Sequence, residues 1–458
     1  MIALPSPIPR QSTPSITDVH DDWPSITQVV ETLGFQAGYN TNLVIAGTTL
    51  LGFAAGIIGV FALLRKRALM TDALSHATLP GIAIAFLVAT TLGMEAKSLP
   101  LLLAGATVTG VLGVLCIQAI LRYSRLREDA AIGIVLSVFF GAGIVALSYI
   151  QTNAAARSGG LNHFIYGQAA TMQPPDVLLM GVIAALAVLA TLLLLKEFSL
   201  VCFNDAFARV DGWPVGFIDL LMMALVVLVT VSGLQAVGLI LVVAMLIIPP
   251  VSARFWTDRL WVLVLMAGLI GAGSGYLGSV FSALFPRKPA GAVIVLTSGA
   301  IFALSMFAAP TRGVIATWIR RLRARLRIAG DHLLEHAHER QLDQLSRSDL
   351  ASIGSLQGWH PIFQRIVRLT LRAEGMTLPA SGGTLRLSES GRQRGARVSR
   401  NHALWGQYLI SYADIAPSHV DWSVDLVEHV LSDQLVDELE SKLASRGIAV
   451  PEHLEGGA

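Results

Sequence analysis

Long uninterrupted apolar runs constrain this chain more than any other feature. A helix needs about 20 apolar residues to cross a hydrocarbon layer about 30 Å thick. Runs of that length occur at Leu43–Leu64, Met70–Thr91, Leu99–Leu121, Ala130–Ile150, Val177–Leu195, Leu260–Leu284 and Ala290–Ala308. A longer tract between Pro214 and Pro250 is broken at Ser232-Gly233 and reads as two passes, Val215–Val231 and Val237–Val251. The second is short and ends at Pro249-Pro250, so the count is nine passes, or eight if that piece is a half-helix. Charge divides the same way. The 267 residues from Leu43 to Ala309 carry 24 Asp, Glu, Lys and Arg, against 35 in the 147 residues from Arg312 onward. An average soluble globule, a disordered chain and a collagen are excluded. The expected fold is all-α and polytopic, with eight or nine transmembrane helices followed by a soluble domain.

Cys116 and Cys202 lie far apart without metal-ligand spacing, which gives no disulfide framework and no structural zinc site. The first 42 residues hold one basic residue, Arg10, and no apolar signal core, so they read as a polar leader with a short helix at Trp23–Leu33. Basic residues orient the spans. With nine passes, one set of loops holds 16 Lys and Arg, among them Arg65, Lys66, Arg67 and the arginines from Arg320 to Arg327, and the other set holds 4. The richer side is the cytoplasmic one, which places the C-terminal domain in the cytoplasm and the leader outside. The many small residues in the spans let helices approach closely in lipid and carry no chemistry of their own.

Ionisable groups at membrane depth are costly and mark pathways. The most informative is Asp72-Ala-Leu-Ser-His76, an acid and an imidazole one helical turn apart on one face. Together they offer one oxygen and one nitrogen to a first-row divalent cation, with Ser75 and Thr71 placed to support them. The spacing also fits an Asp72 that caps its helix and a His76 that is satisfied in the core. Only context separates the two. The span boundaries put Asp72 near the cytoplasmic end, so either the helix starts later than hydropathy suggests or the site lies towards the exit.

The run Leu63-Leu-Arg-Lys-Arg-Ala-Leu-Met-Thr-Asp72-Ala-Leu-Ser-His76-Ala-Thr-Leu-Pro80-Gly81 resembles the hallmark segment of the manganese/zinc/iron permeases of ABC transporters. Three further segments resemble that family in the same order: Arg127-Glu128-Asp129-Ala-Ala-Ile-Gly133-Ile, the proline-ended run Gly238–Arg254, and Phe285-Pro-Arg-Lys-Pro289-Ala-Gly291. The resemblance implies a permease subunit of the bacterial inner (plasma) membrane that carries Mn²⁺, Zn²⁺ or Fe²⁺ as substrate, with Asp72 and His76 as the transport ligands. It works as a homodimer or as a heterodimer with a second permease. The chain has no G-x-x-x-x-G-K-[ST] loop and is expected to bind no nucleotide, so a separate ATP-binding subunit drives it. The inner loop Lys196–Pro214 contains Asn204, Asp205, Phe207, Arg209, Asp211 and Gly212, a short amphipathic helix ended by glycine. The resemblance makes this the segment that docks into the ATP-binding subunit. The outer loop Gln151–Pro175, with His163 and Tyr166, is expected to face an extracytoplasmic metal-binding protein; His163 is not assigned as a ligand.

In the tail, Ser346–Ala351 followed by Pro361–Ala373 reads as helix, turn, helix. Gly382-Gly383 then sits between extended runs suited to a wing, and Arg392–Tyr412 is helical. Arg365, Arg368 and Arg372 could meet DNA phosphates or form a solvated face. Arg400-Asn-His402-Ala-Leu and Asp425-Leu-Val-Glu428-His429-Val-Leu-Ser resemble the metal-dependent repressors of the diphtheria-toxin-repressor type. The resemblance implies metal ligands at His402, Asp425, Glu428 and His429. Two departures are Gly406, where some members have a ligating Glu, and an off-register first-helix pair, Asp331 with Glu335. The expected divisions are therefore a leader (1–42), a metal permease (43–310), a basic linker (311–329), a winged-helix-like domain (330–395) and a helical metal-binding and dimerisation-like domain (396–458). The tail is expected to sense metal and regulate uptake, with DNA binding the lesser alternative. The rival reading of the whole chain is a membrane-anchored, metal-responsive transcriptional regulator.

Overall fold

A computed structural model describes residues 23–65, 67–93, 99–153, 172–285, 288–356, 358–379, 384–412 and 433–445. The chain divides into two compact units, Met1–Ala316 and Thr317–Ala458.

The first unit is helical. After α1 (Ile26–Leu33), capped by the Ser25–Gln28 box, come α2 (Tyr39–Leu64), α3 (Ala68–Ala77), α4 (Leu79–Thr91), α5 (Leu99–Tyr123), α6 (Glu128–Asn153) and α7 (Pro174–Leu193). Two short helices, α8 (Leu195–Phe203) and α9 (Asp205–Val210), lead to α10 (Val215–Val237), α11 (Leu239–Arg254), α12 (Leu260–Leu284) and α13 (Ala290–Ala308). Among the described residues, eight stretches are long and apolar enough to cross a membrane, and α11 is a shorter apolar helix. One of the eight, Met70–Thr91, is α3 and α4 end to end. Pro80 lacks the N–H that would bond the His76 carbonyl, so the helix breaks at Thr78.

Helix α2 is the hub and packs most extensively on α12. Their backbones nearly touch: a Cβ on Gly52 would lie 2.2 Å from the Gly271 carbonyl oxygen, and one on Gly271 would lie 2.1 Å from that of Gly52. The buried hydroxyls of Thr48 and Ser279 bond across the same seam at 2.8 Å. Small residues and polar bridges of this kind hold helices together where lipid supplies no hydrophobic drive.

The tract after Pro214 differs from its sequence reading. Helix α10 runs through Ser232-Gly233 and stops at Gly238, whose φ of +80° suits glycine. Gly233 stays helical, wedged against Leu51 and Val242. Nor do Pro249 and Pro250 end α11, which continues to Arg254. The carbonyl freed by Pro250 is that of Leu246. It faces Gly59 of α2, where a Cβ would sit 2.0 Å away.

The second unit begins along α14 (Val314–Glu339), which supplies Ala329, Leu333, Leu334 and Ala337 to a separate core. The rest of that core comes from α15 (Arg347–Leu356), α16 (Pro361–Ala373) and a three-stranded antiparallel sheet. The strands are β1 (Gln344–Leu345), β2 (Thr377–Pro379) and β3 (Leu385–Leu387), in the order β1-β3-β2. Helix, turn, helix and paired extended runs thus follow one another as the sequence predicts; the wing tip Gly382-Gly383 lies outside the described residues. Helix α17 (Glu389–Tyr412) packs on α18 (Asp433–Ser445), and an Arg400–Glu440 ion pair joins them.

Candidate metal site and ATPase-facing segment

Asp72 is the fifth residue of α3, whose N-cap position is Arg67. It therefore lies too deep in the helix to cap it. The helix also starts before the hydropathic boundary rather than after it, so Asp72 stands close to one end of the span. His76 follows one turn later, with its Nε2 3.7 Å from Asp72 Oδ1. That is too long for a hydrogen bond, so the pair is not locked to itself. Metal–oxygen and metal–nitrogen bonds in zinc sites run about 2.0–2.2 Å, so two donors at this separation can both reach one ion. The imidazole lies edge-on to Phe140 of α6 at 4.9 Å, and its buried Nδ1 has no hydrogen-bond partner among the described residues. A satisfied core histidine would have one. Asp72 remains 45% exposed in the single chain. Ser75 does not support this pair; it is buried and donates to the Thr71 carbonyl of its own helix.

The loop helix is well defined. The Asn204 side chain accepts the Phe207 N–H at 2.9 Å and so caps α9. Arg209 pairs with Asp205 at 2.8 Å, the Trp213 indole N–H donates to Asp211 at 2.9 Å, and Gly212 at φ +85° turns the chain out of the helix. Ala208 is buried beneath, while Phe203, Phe207 and Val210 project outward, Val210 with 89% exposure.

A second group of charges escaped the sequence reading. Asp219, on the fifth residue of α10, is buried. Arg65 reaches its Oδ1 at 3.1 Å and Arg67 its Oδ2; Gln118 of α5 lies 3.5 Å from the same Oδ2. Arg65 also donates to the Val201 carbonyl at 3.0 Å, and Arg67 to Glu128 at the start of α6 at 2.6 Å. A lone acid inside the apolar run Val215–Val231 was the available signal, since such groups require a partner. Beside this cluster, burial pushes the Cys202 thiol up to about 12, with Asp219 adding to the shift and the arginines opposing it. Such a thiol stays protonated and unreactive.

In the tail, His402 Nδ1 stands 3.2 Å from Glu335 Oε1, and His332 Nδ1 stands 3.7 Å from Glu335 Oε2. Burial pushes the Glu335 carboxyl up, but the neighbouring imidazoles of His332 and His402 outweigh it and bring its pKa down to about 2. Asp331 is held by Arg394 through both carboxylate oxygens at 2.9 and 3.0 Å, so His332 rather than Asp331 joins Glu335. No group of three His, Cys, Asp or Glu among the described residues is arranged to hold a metal. Asp425, Glu428 and His429 lie outside the described residues, as do His163 and Tyr166.

Residues 39–309, more than half of the chain, match the profile of the ABC 3 transport family. The chain belongs to that family. Residues 388–446 match the iron dependent repressor, metal binding and dimerisation domain, so this ABC 3 permease carries a regulator-type domain at its C-terminal end. It is 38% identical to the manganese transport system membrane protein MntC of Bacillus subtilis (strain 168), over 82% of this chain and 86% of that one. It is 43% identical to the zinc transport system membrane protein TroC of Treponema pallidum (strain Nichols), over 63% and 95% respectively. Among solved structures it resembles PsaBC from Streptococcus pneumoniae in complex with Fab. That likeness has a TM-score of 0.54 and 32% identity, over 63% of this chain and 98% of that one. The ABC 3 match explains why the Asp72–His76 segment, the acidic start of α6 and the proline-bearing α11 occur in one order. It covers all three.

Proposed function

We propose that this permease passes a divalent metal ion, Mn²⁺, Zn²⁺ or Fe²⁺, along Asp72 and His76. The observation that carries the reading is an acid and an imidazole on one face of α3, 3.7 Å apart, with the buried imidazole Nδ1 left without a hydrogen-bond partner among the described residues. An oxygen–nitrogen donor pair suits borderline first-row cations, with geometry and availability selecting among them. The names of the manganese and zinc relatives support the same cargo class. Energy comes from a separate ATP-binding subunit seated against Phe207 and Val210. An extracytoplasmic binding protein delivers the ion, and a second permease, identical or related, completes the conduit beside the exposed edge of Asp72. The chain sits in a bacterial plasma membrane with its tail in the cytoplasm, as the distribution of Lys and Arg supports.

The tail is a cytosolic metal sensor that restrains uptake when metal is plentiful. Its proposed donors are His402, Asp425, Glu428 and His429.

Uptake of radiolabelled Mn²⁺ or ⁶⁵Zn²⁺ in cells expressing Asp72→Ala or His76→Ala tests the transport site. Accumulation falls to background if the reading holds; wild-type accumulation at equal expression removes both ligands. Titrating the purified full-length Asp72→Ala/His76→Ala protein with Mn²⁺, Fe²⁺ and Zn²⁺ reads the tail alone. One further high-affinity site, lost in His402→Ala, is expected. Absence of binding ends the sensing reading, and a salt-sensitive shift on duplex DNA would favour the regulator reading instead.

A further inference from the structure

The buried charges around Asp219 belong neither to the metal pair nor to the docking surface, yet they touch the elements on either side of both. Arg65 and Arg67 are the first and last residues of the three-residue link between α2 and α3, and Arg67 occupies the N-cap position of α3. Asp72 lies five residues beyond it, about 7 Å along the helix axis. On the opposite side, Arg65 holds the Val201 carbonyl just before the Asn204–Gly212 segment, and Asp219 lies just after it at the start of α10. The cluster thus grips both stems of the docking helix and the root of the helix that bears the candidate ligands. Stability alone does not account for it. Burying several charges costs about as much as their attraction returns, and apolar residues of similar volume often do as well.

We infer that Asp219, with Arg65 and Arg67, is the positioning element through which movement of the Asn204–Gly212 segment reaches α3 and its Asp72–His76 pair. The inference rests on the proposed function above. Two rigid helix ends pinned to one carboxylate must move together or break the ion pairs. A push on α9 is therefore delivered to α3 as displacement rather than lost in a loop. Glu128, bonded to Arg67, brings the start of α6 into the same unit, and α6 carries the Phe140 ring that His76 meets.

The test uses the assembled transporter, with its ATP-binding subunit and binding protein, reconstituted in lipid vesicles. Arg65→Gln removes one guanidinium and the Val201 contact but leaves Asp219 paired with Arg67. Metal binding and ATP hydrolysis are expected to stay at wild-type levels while metal moved per ATP hydrolysed falls about tenfold or more, within the usual range of site-to-site coupling. Asp219→Asn should show the same uncoupling at least as strongly, and Asp219→Glu, which keeps the charge, should recover much of the ratio. An unchanged ratio in both Arg65→Gln and Asp219→Asn overturns the inference. So does failure of both variants to assemble, since the cluster would then be a folding clasp. The two readings fail separately. If the ligand assignment is wrong, Asp72→Ala transports normally, whereas the linkage is read from transport per ATP in variants that keep Asp72 and His76.

Discussion

Replacing Gly271 by alanine tests the seam on which the membrane unit is built. An added Cβ would stand 2.1 Å from the Gly52 carbonyl oxygen, with the Gly52 carbonyl carbon at 2.9 Å. Ordinary contact for such atoms is about 3.5 Å, so α2 and α12 must separate by more than about 1 Å. The obstructing atoms are backbone in a helix and cannot rotate aside. The cost should therefore fall in the upper part of the usual overpacking range, about 2–3 kcal/mol. Alanine is also a better helix former than glycine by about 1 kcal/mol, which would mask part of that loss. Gly273→Ala removes the ambiguity. It lies two residues away on α12 with no heavy atom within 4 Å of its would-be Cβ, so only the propensity gain applies. The difference between the two variants isolates the clash. Thermal unfolding of the purified full chain in detergent should place Gly273→Ala at or above wild type and Gly271→Ala clearly below it. Equal transition temperatures would refute a seam set by backbone contact.

Phe207→Asp and Val210→Asp place charge on the exposed apolar face of α9 while leaving the Asn204 cap and the Asp205–Arg209 pair intact; co-purification of the ATP-binding subunit should be lost while the permease itself folds. In the tail, Glu335 has a folded value near 2 against an ordinary 4.5. Its contribution to stability is then present above about pH 4.5 and disappears as pH falls towards 2. His402→Gln removes one of the two partners. Acid loss of tail helicity, followed by circular dichroism with chelator present, should begin at higher pH in that variant, and an unchanged acid limb would show that Glu335 is not held by His402.

How much of this was legible in the sequence depended on how local the determining physics was. The long spans are additive in apolar content, so hydropathy found them. The placement of Asp72 and His76 on one face is set by one helical turn, so the spacing gave that placement, though not a role. The end of α10 was misplaced because two glycines, Gly233 and Gly238, compete for the break. Only the three-dimensional fit decides between them: Gly233 is pressed into helical packing, while Gly238 alone takes a positive φ. Pro249 and Pro250 read as a stop, yet α2 offers Gly59 to the carbonyl that Pro250 frees. The exchange of Asp331 for His332 beside Glu335 was hidden because Arg394, 63 residues further along the chain, claims Asp331. Ion pairs between distant segments have no periodicity to read.

Helix α11 has 16 residues, which rise about 24 Å against a hydrocarbon slab of about 30 Å. Its neighbours in the bundle are long enough to reach both faces, and it packs against α2, α12 and α13 rather than standing alone in lipid. Bilayer thinning therefore cannot make up the deficit, because there is little lipid beside it to thin. About 6 Å of the slab, roughly one turn, is thus spanned beside α11 by its neighbouring helices rather than by α11 itself.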